Sequence, residues 1–249
     1  MPGYTHMQKA MPSSVSMWAD SFSQSLADDL VLIKAAFEIN DQSPLGSAAG
    51  YGAPINLERQ YTAKLLGFKK VQENSIYCQN SRGKTEAAIL AALISTLSTL
   101  NKFASDLLLF TTQEFGFFKV ADDLTTGSSI MPQKRNVDIA ELLKSKVHLV
   151  LGNYVQMVSL GTNLISGYNR DLQDSKKPVM EAFDVTLGSL TAAQILLNGV
   201  TPNVEKLTMA MTEDLFATQK ALELVLKGES FRDAYQKIAK EIFKGGDTK

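Results

Sequence analysis

Four stretches of this chain carry an apolar residue at every third or fourth position for roughly twenty to thirty residues each, and few folds accommodate rods that long. The first runs from about Pro12 to Asn40 through Val15, Trp18, Phe22, Leu26, Leu30, Ile33, Ala36 and Phe37. The second, from Lys84 to about Glu114, carries Ile89, Leu93, Leu97, Leu100, Phe103, Leu107, Leu108 and Phe110. The third spans about Asp138 to Ser166, and the fourth starts at Pro178, a residue suited to a first helical turn, and reaches about Leu197. Helices of this length pack near-parallel as a bundle, so the expected fold class is all-α.

Between the rods the sequence is broken. Pro44, Gly46, Gly50, Gly52 and Pro54 mark an irregular loop, Leu57 to Leu66 reads as a short helix ended by Gly67, and Val71 to Arg82 reads as a polar connection. After Gly199-Val200-Thr201-Pro202-Asn203 only short helices remain, at Val204 to Met211, Glu213 to Lys227 and Phe231 to Phe243. This predicts a central bundle domain at 1–200 and a small C-terminal helical region at 201–249. No alternating strand and no internal repeat stands out. The stretches 84–114 and 138–166 are apolar on more than one face, which predicts a homo-oligomer.

Composition narrows the function. A net charge of −1 argues against a nucleic-acid partner or an anionic membrane surface. Cys78 is the single cysteine, which excludes an internal disulfide and a thiolate cluster, and with only His6 and His148 a histidine metal site is not expected. No apolar run reaches the roughly 18 uninterrupted residues of a membrane span, and the start Met-Pro-Gly-Tyr-Thr-His lacks the layout of a signal peptide. A cytoplasmic location is expected.

The chemistry concentrates in the breaks. Gly127-Ser128-Ser129-Ile130-Met131-Pro132-Gln133-Lys134-Arg135-Asn136 sets two hydroxyls, an ammonium and several backbone N–H groups before a helix start near Val137, which suits an anion. A carboxylate gaining a second negative charge as its neighbouring carbon is deprotonated would be stabilised there. The structural alternative is a linker whose Asp138 and Glu141 form a capping box. His6 follows a Gly-containing turn and is of the one residue type suited by its reference chemistry to serve as acid or base near neutral pH; His148, mid-helix among apolar neighbours, reads as structural. Gly167 to Lys176 packs Tyr, Asn, Arg, Gln and Lys into one break, suited to a ligand rich in heteroatoms. Gly83-Lys84-Thr85 is not a phosphate loop, because Cys78 stands where that motif needs glycine, and Ser81-Arg82-Gly83-Lys84 lacks the companion motifs of acyl-transfer enzymes.

The 127–136 loop resembles the signature of the fumarase/aspartase superfamily, whose members eliminate fumarate from a succinyl group. The spelling Met131-Pro132-Gln133-Lys134 is similar to that of its argininosuccinate lyase family. So are Pro2-Gly3-Tyr4-Thr5-His6-Met7-Gln8, Gln113-Glu114-Phe115-Gly116-Phe117 and Tyr168-Asn169-Arg170-Asp171-Leu172-Gln173, together with Ser43-Pro44-Leu45-Gly46, Asn74-Ser75 and Phe231-Arg232-Asp233-Ala234. The resemblance implies a long-helix bundle of that superfamily's type. It also implies reversible cleavage of argininosuccinate to arginine and fumarate, a step of arginine biosynthesis, by a homotetramer without metal or organic cofactor.

By the same resemblance Ser128 matches the catalytic serine, His6 the second catalytic residue and Glu141 the carboxylate that orients it. Lys134 and Asn136 match the residues that stabilise the carbanion and hold the substrate, and Thr5, Tyr168, Gln173 and Lys176 the substrate-binding positions. The assignment taken is Ser128 as base and His6 with Glu141 as acid or proton relay. The chain departs from the family at Asn80-Ser81-Arg82-Gly83, where Ser-Asp-Arg-Asp is usual and only Arg82 agrees. The family also carries an N-terminal signature stretch ahead of the part matched here, and builds each site from three subunits. A fragment, inactive by itself, is therefore expected. The alternatives are another fumarate-releasing lyase such as adenylosuccinate lyase, against which Gln133 and the 168–176 segment speak, and a non-catalytic helical scaffold.

Overall fold

A computed structural model describes residues 1–244; residues 245–249, the end of the C-terminal region, lie outside the described residues. The rods are present as α1 (Val15–Asn40), α4 (Lys84–Phe110), α5 (Asp138–Leu160) and α6 (Lys176–Asn198), with short helices α2 (Arg59–Leu65), α3 (Ser75–Asn80), α7 (Val204–Met209), α8 (Ala217–Leu226) and α9 (Phe231–Lys244). The all-α expectation holds, with small additions of strand. The chain divides into two compact units, one of 1–21, 109–119 and the residues from 200 on, the other of 22–108 and 120–199.

In the larger unit α1 runs antiparallel to α4. Phe22 meets Phe103 edge-on at 5.5 Å, Ser25 bonds Thr99 at 2.8 Å, and Asn40 reaches the Thr85 carbonyl at 3.2 Å. The buried Asp29 carboxylate accepts from Ser95 Oγ and, at 2.7 Å, from Thr99 Oγ1, so its burial is matched by hydroxyl donors. Asn101 binds the Lys144 carbonyl and Asn153 the Pro178 carbonyl, which ties α4 to α5 and α5 to α6.

α4 supplies much of the core, with Leu90, Leu97 and Leu107 fully buried. Its apolar character on several faces is therefore met inside the chain. By length and composition alone it is apolar enough to cross a membrane, but half of its most apolar window is buried, as in a core helix. α5 differs: Leu143, Val147, Val150 and Met157 face inward, while Leu142, Leu149, Leu151, Val155 and Val158 are exposed. His148 is exposed on the same helix, so it is not held by core packing.

The smaller unit corrects the expectation that no strand stands out. β1 (Pro2–Thr5) and β2 (Gln8–Pro12) form an antiparallel hairpin with a register shift after Gly3. Its two-residue turn is His6-Met7, at φ 51° and 62°, the double left-handed turn that matches the twist of paired strands. Beneath it Tyr4, Trp18, Phe110, Phe115, Phe117 and Phe118 pack ring on ring, with Trp18 5.1 Å from Phe118 and Tyr4 5.8 Å from Phe115. Burial there raises the Tyr4 hydroxyl above its ordinary pKa. α8 and α9 close on Ala221, Ala234 and Ile238.

Two further short pairings occur, β3 (Gln42–Ser43) parallel to β4 (Lys70–Val71), and β5 (Phe118–Val120) beside β6 (Val200–Pro202). Other boundaries moved for local reasons. The polar connection 71–82 contains α3, capped by Asn74 Oδ1 accepting from the Tyr77 N–H at 2.9 Å. α5 stops at Leu160, ahead of Asn163 with φ 61°, and 170–175 is a 3-10 turn leading directly into α6.

Candidate active site

The break between α5 and α6 folds over the loop that follows α1. Pro44, Leu45, Gly46, Ser47, Ala48 and Ala49 line one wall of a cleft of about 780 Å³, and Cys78, Gln79, Arg82, Tyr168, Gln173 and Lys176 line the rest. Arg59 holds the first wall in place from α2. Its Nε donates to the Leu45 carbonyl at 2.8 Å, while Nη2 and Nη1 bind the Gln72 and Glu73 carbonyls. One guanidinium thus ties together the two backbone segments that continue past the β3–β4 pairing.

Tyr168, Gln173 and Lys176 are brought together as a chain. Lys176 Nζ lies 2.9 Å from Gln173 Oε1, and Gln173 Nε2 lies 3.2 Å from Tyr168 Oη. An ammonium only donates, so the Gln173 oxygen must face Lys176 and its amino group must face the phenol. The Tyr168 oxygen accepts, and its own proton is left to donate elsewhere. Arg82 stands over the Tyr168 ring, 5.7 Å from its centre, and its Nη2 holds the Leu172 carbonyl at 3.1 Å. Two cations, one phenolic donor and one amide along a single cleft suit a ligand with carboxylate groups.

The second group lies on the 127–136 loop. Thr126 and Asn136 exchange two backbone hydrogen bonds of 2.9 Å, which tie the loop's ends together. Inside it Ser128 Oγ accepts from the N–H groups of Ile130 at 3.3 Å and Met131 at 3.2 Å. Donors aimed at a hydroxyl oxygen favour its ionised form, which is what a serine acting as base requires. Lys134 is exposed on the same loop, and Asn136 is half-buried at its end. Glu141 is exposed in the first turn of α5. The capping box does not form: Val137 takes the cap position without a side-chain bond, and the Asp138 carboxylate accepts instead from Thr126 Oγ1 at 2.6 Å. Thr5 and His6 belong to the smaller unit, both exposed, with His6 at the tip of the hairpin.

Residues 1–152 match the profile of a family described as lyase. The chain belongs to this lyase family. The argininosuccinate lyase of Thermotoga neapolitana is 47% identical to it over 239 residues, 96% of this chain and 60% of that protein. That of Sorangium cellulosum is 43% identical over 242 residues, 97% of this chain and 56% of that protein. The chain therefore spans little more than half the length of these curated relatives. Among solved structures, EDDS lyase in complex with formate superposes with a TM-score of 0.87 at 23% identity, covering 98% of this chain and 49% of that one, a likeness of fold.

Some residues of this lyase chain's cleft escaped the sequence reading. Arg82 enters the sequence argument only as a position that agrees with the family, and 44–49 only as part of an irregular loop whose Ser43-Pro44-Leu45-Gly46 resembles it. Gln79 was not singled out at all; its Oε1 is buried without a hydrogen-bond partner while its Nε2 reaches the Ala48 carbonyl at 3.4 Å. The glycines and prolines at 44–54 were the available signal, since a loop that irregular and that close to a helix end is where binding residues collect. Among the described residues no group of His, Cys, Asp and Glu side chains is placed to hold a metal ion.

Proposed function

We propose that the chain is part of an argininosuccinate lyase, which cleaves argininosuccinate to arginine and fumarate by proton abstraction and C–N elimination. The observation that carries this reading is the Lys176–Gln173–Tyr168 chain beside Arg82, a set of donors suited to the carboxylates of such a substrate. The identity to argininosuccinate lyases, 47% and 43% over nearly the whole chain, supports the choice of substrate.

In this reading Ser128 Oγ removes the proton from the carbon beside a substrate carboxylate, and the electron pair spreads into that carboxylate. Lys134 and the loop N–H groups stabilise the resulting dianion, and Asn136 holds it. The pair then forms the new C=C bond as the C–N bond breaks, and His6, oriented by Glu141, supplies a proton to the departing guanidino nitrogen. Thr5, Tyr168, Gln173 and Lys176 hold the substrate. The acceptor bonds to Ser128 from Ile130 and Met131 support its place as base.

The working form is a cytoplasmic homotetramer in this proposal. Its support is the exposed apolar residues of three long helices, among them Val31 and Phe37 on α1, Leu149 and Val155 on α5, and Phe183 and Leu187 on α6. The chain alone, spanning 60% and 56% of these relatives, is expected to be inactive. The deciding experiment follows fumarate release by the full-length protein offered argininosuccinate or adenylosuccinate. Release from argininosuccinate supports the reading, and release from adenylosuccinate alone, or none from either, overturns it.

A further inference from the structure

Asn80, the last residue of α3, touches the break between α5 and α6 at two consecutive residues. Its Nδ2 donates to Ser166 Oγ at 3.1 Å, and its Oδ1 accepts from the Gly167 N–H at 2.8 Å. Gly167 is buried at φ +107°, a conformation that side chains rarely adopt, and a Cβ there would lie 3.6 Å from the Tyr51 hydroxyl. The backbone that leads into Tyr168 is therefore oriented by a glycine with wide intrinsic freedom and fastened by two amide side chains, Asn80 at the Gly167 N–H and Asn169, whose Nδ2 donates to the Gly167 carbonyl at 3.1 Å.

The same turn of chain fastens the other end of the segment, since Arg82 Nη2 holds the Leu172 carbonyl one residue before Gln173. Gly83 completes the arrangement. At φ +81° its missing Cβ leaves room for Leu172, whose Cδ2 would otherwise lie 3.3 Å away, and its N–H donates to Glu86 Oε2, starting α4 directly behind the clamp. The departure at 80–83 thus coincides with a self-consistent set of contacts to the segment that lines the cleft.

We propose that Asn80 is a positioning residue of the cleft: it fixes Ser166 and Gly167 so that Tyr168 and Gln173 present their polar groups to the bound substrate. Asparagine suits the task because one short arm carries both a donor and an acceptor. The proposal rests on the reading of Tyr168 and Gln173 as substrate-binding residues.

Two measurements test it. In the full-length protein Asn80→Ala is expected to raise KM for argininosuccinate roughly ten-fold with kcat changed by less than about two-fold, as loss of ground-state positioning requires. Ser166→Ala, which removes one of the two contacts and leaves Asn80 intact, is expected to raise KM by about three-fold. In the chain itself, Asn80→Ala is expected to speed hydrogen exchange of the Gly167 amide at least roughly ten-fold, and Asn80→Asp, whose carboxylate can accept from both partners, to restore protection. A lowered unfolding midpoint with unchanged KM and unchanged Gly167 exchange would make Asn80 merely structural and overturn the proposal. If Asn80→Ala does not fold, Ser166→Ala decides by the same readouts. Should the full-length wild type release no fumarate, the functional reading fails, while Gly167 exchange still decides whether the clamp exists.

Discussion

Lys176 and Gln173 are joined by a 2.9 Å hydrogen bond whose direction is fixed, because the ammonium has nothing to accept with. That single constraint sets the amide of Gln173 and, one bond further, the phenol of Tyr168. In Gln173→Glu the carboxylate still holds Lys176, but it draws the tyrosine proton toward itself. KM for argininosuccinate is expected to rise roughly ten-fold in the full-length protein, with Tyr168→Phe giving a similar rise. Steady-state fumarate release measures both, and an unchanged KM in each would remove the chain of donors from the site.

Ser128→Ala removes the proposed base while leaving the two backbone bonds between Thr126 and Asn136 untouched. A fall in kcat of at least about a hundred-fold is expected, with little change in the unfolding midpoint. Normal kcat in this variant would show that another group takes the proton.

Asp29 is a stability element. Its carboxylate is 4% exposed and bonded to Ser95 and Thr99 across the α1–α4 contact. Asp29→Ala deprives two hydroxyls of their acceptor and is expected to cost about 3 kcal/mol in urea unfolding, whereas Asp29→Asn, which keeps an acceptor, is expected to cost about half of that.

The hairpin turn offers a change in the opposite direction. Met7 sits at φ 62°, where a side chain strains the backbone and glycine does not. Met7→Gly is expected to stabilise the chain by up to about 1 kcal/mol in thermal or urea unfolding. The neighbouring His6 carries the same left-handed backbone at φ 51°, and in the proposed mechanism it is retained for its imidazole.

A smaller pH effect belongs to Asp214. A hydrogen bond from the Thr212 side chain is the main reason its carboxyl is held below the ordinary 3.8, with the nearby Lys9 charge adding to it. The unfolded chain therefore takes up this proton at higher pH than the folded one. The stabilisation is fully present above the ordinary value and is lost as pH falls through the lowered one. Asp214→Asn is expected to flatten the acid limb of the unfolding-midpoint profile and leave the neutral region unchanged.

The long helices were legible because each buries one stripe over many turns, and repetition makes a period visible. The hairpin was not: β2 is exposed along nearly its whole length, so Gln8-Lys9-Ala10-Met11-Pro12 has no buried face to alternate with, and its turn lacks the Asn-Gly signal. α3 spans six residues, too few for a period to declare itself, and only Asn74 before it marked a start. The proposed binding segment was readable as a dense polar break at 167–176. Its partners were not, because Asn80 meets Ser166 across 86 positions and Arg82 meets Leu172 across 90, separations over which local patterning carries no information.

The tied ends of the 127–136 loop have a consequence for how its length can vary. Once Thr126 and Asn136 are bonded, the entropy of bringing the ends together has already been spent, and it changes only with the logarithm of the number of residues between them. Two inserted residues would alter that cost by only about a few tenths of a kcal/mol. Folding therefore tolerates a longer or shorter loop almost equally well. In the proposed mechanism, the reach that Ser128 and Lys134 need to meet a bound substrate is then the stricter limit on its size.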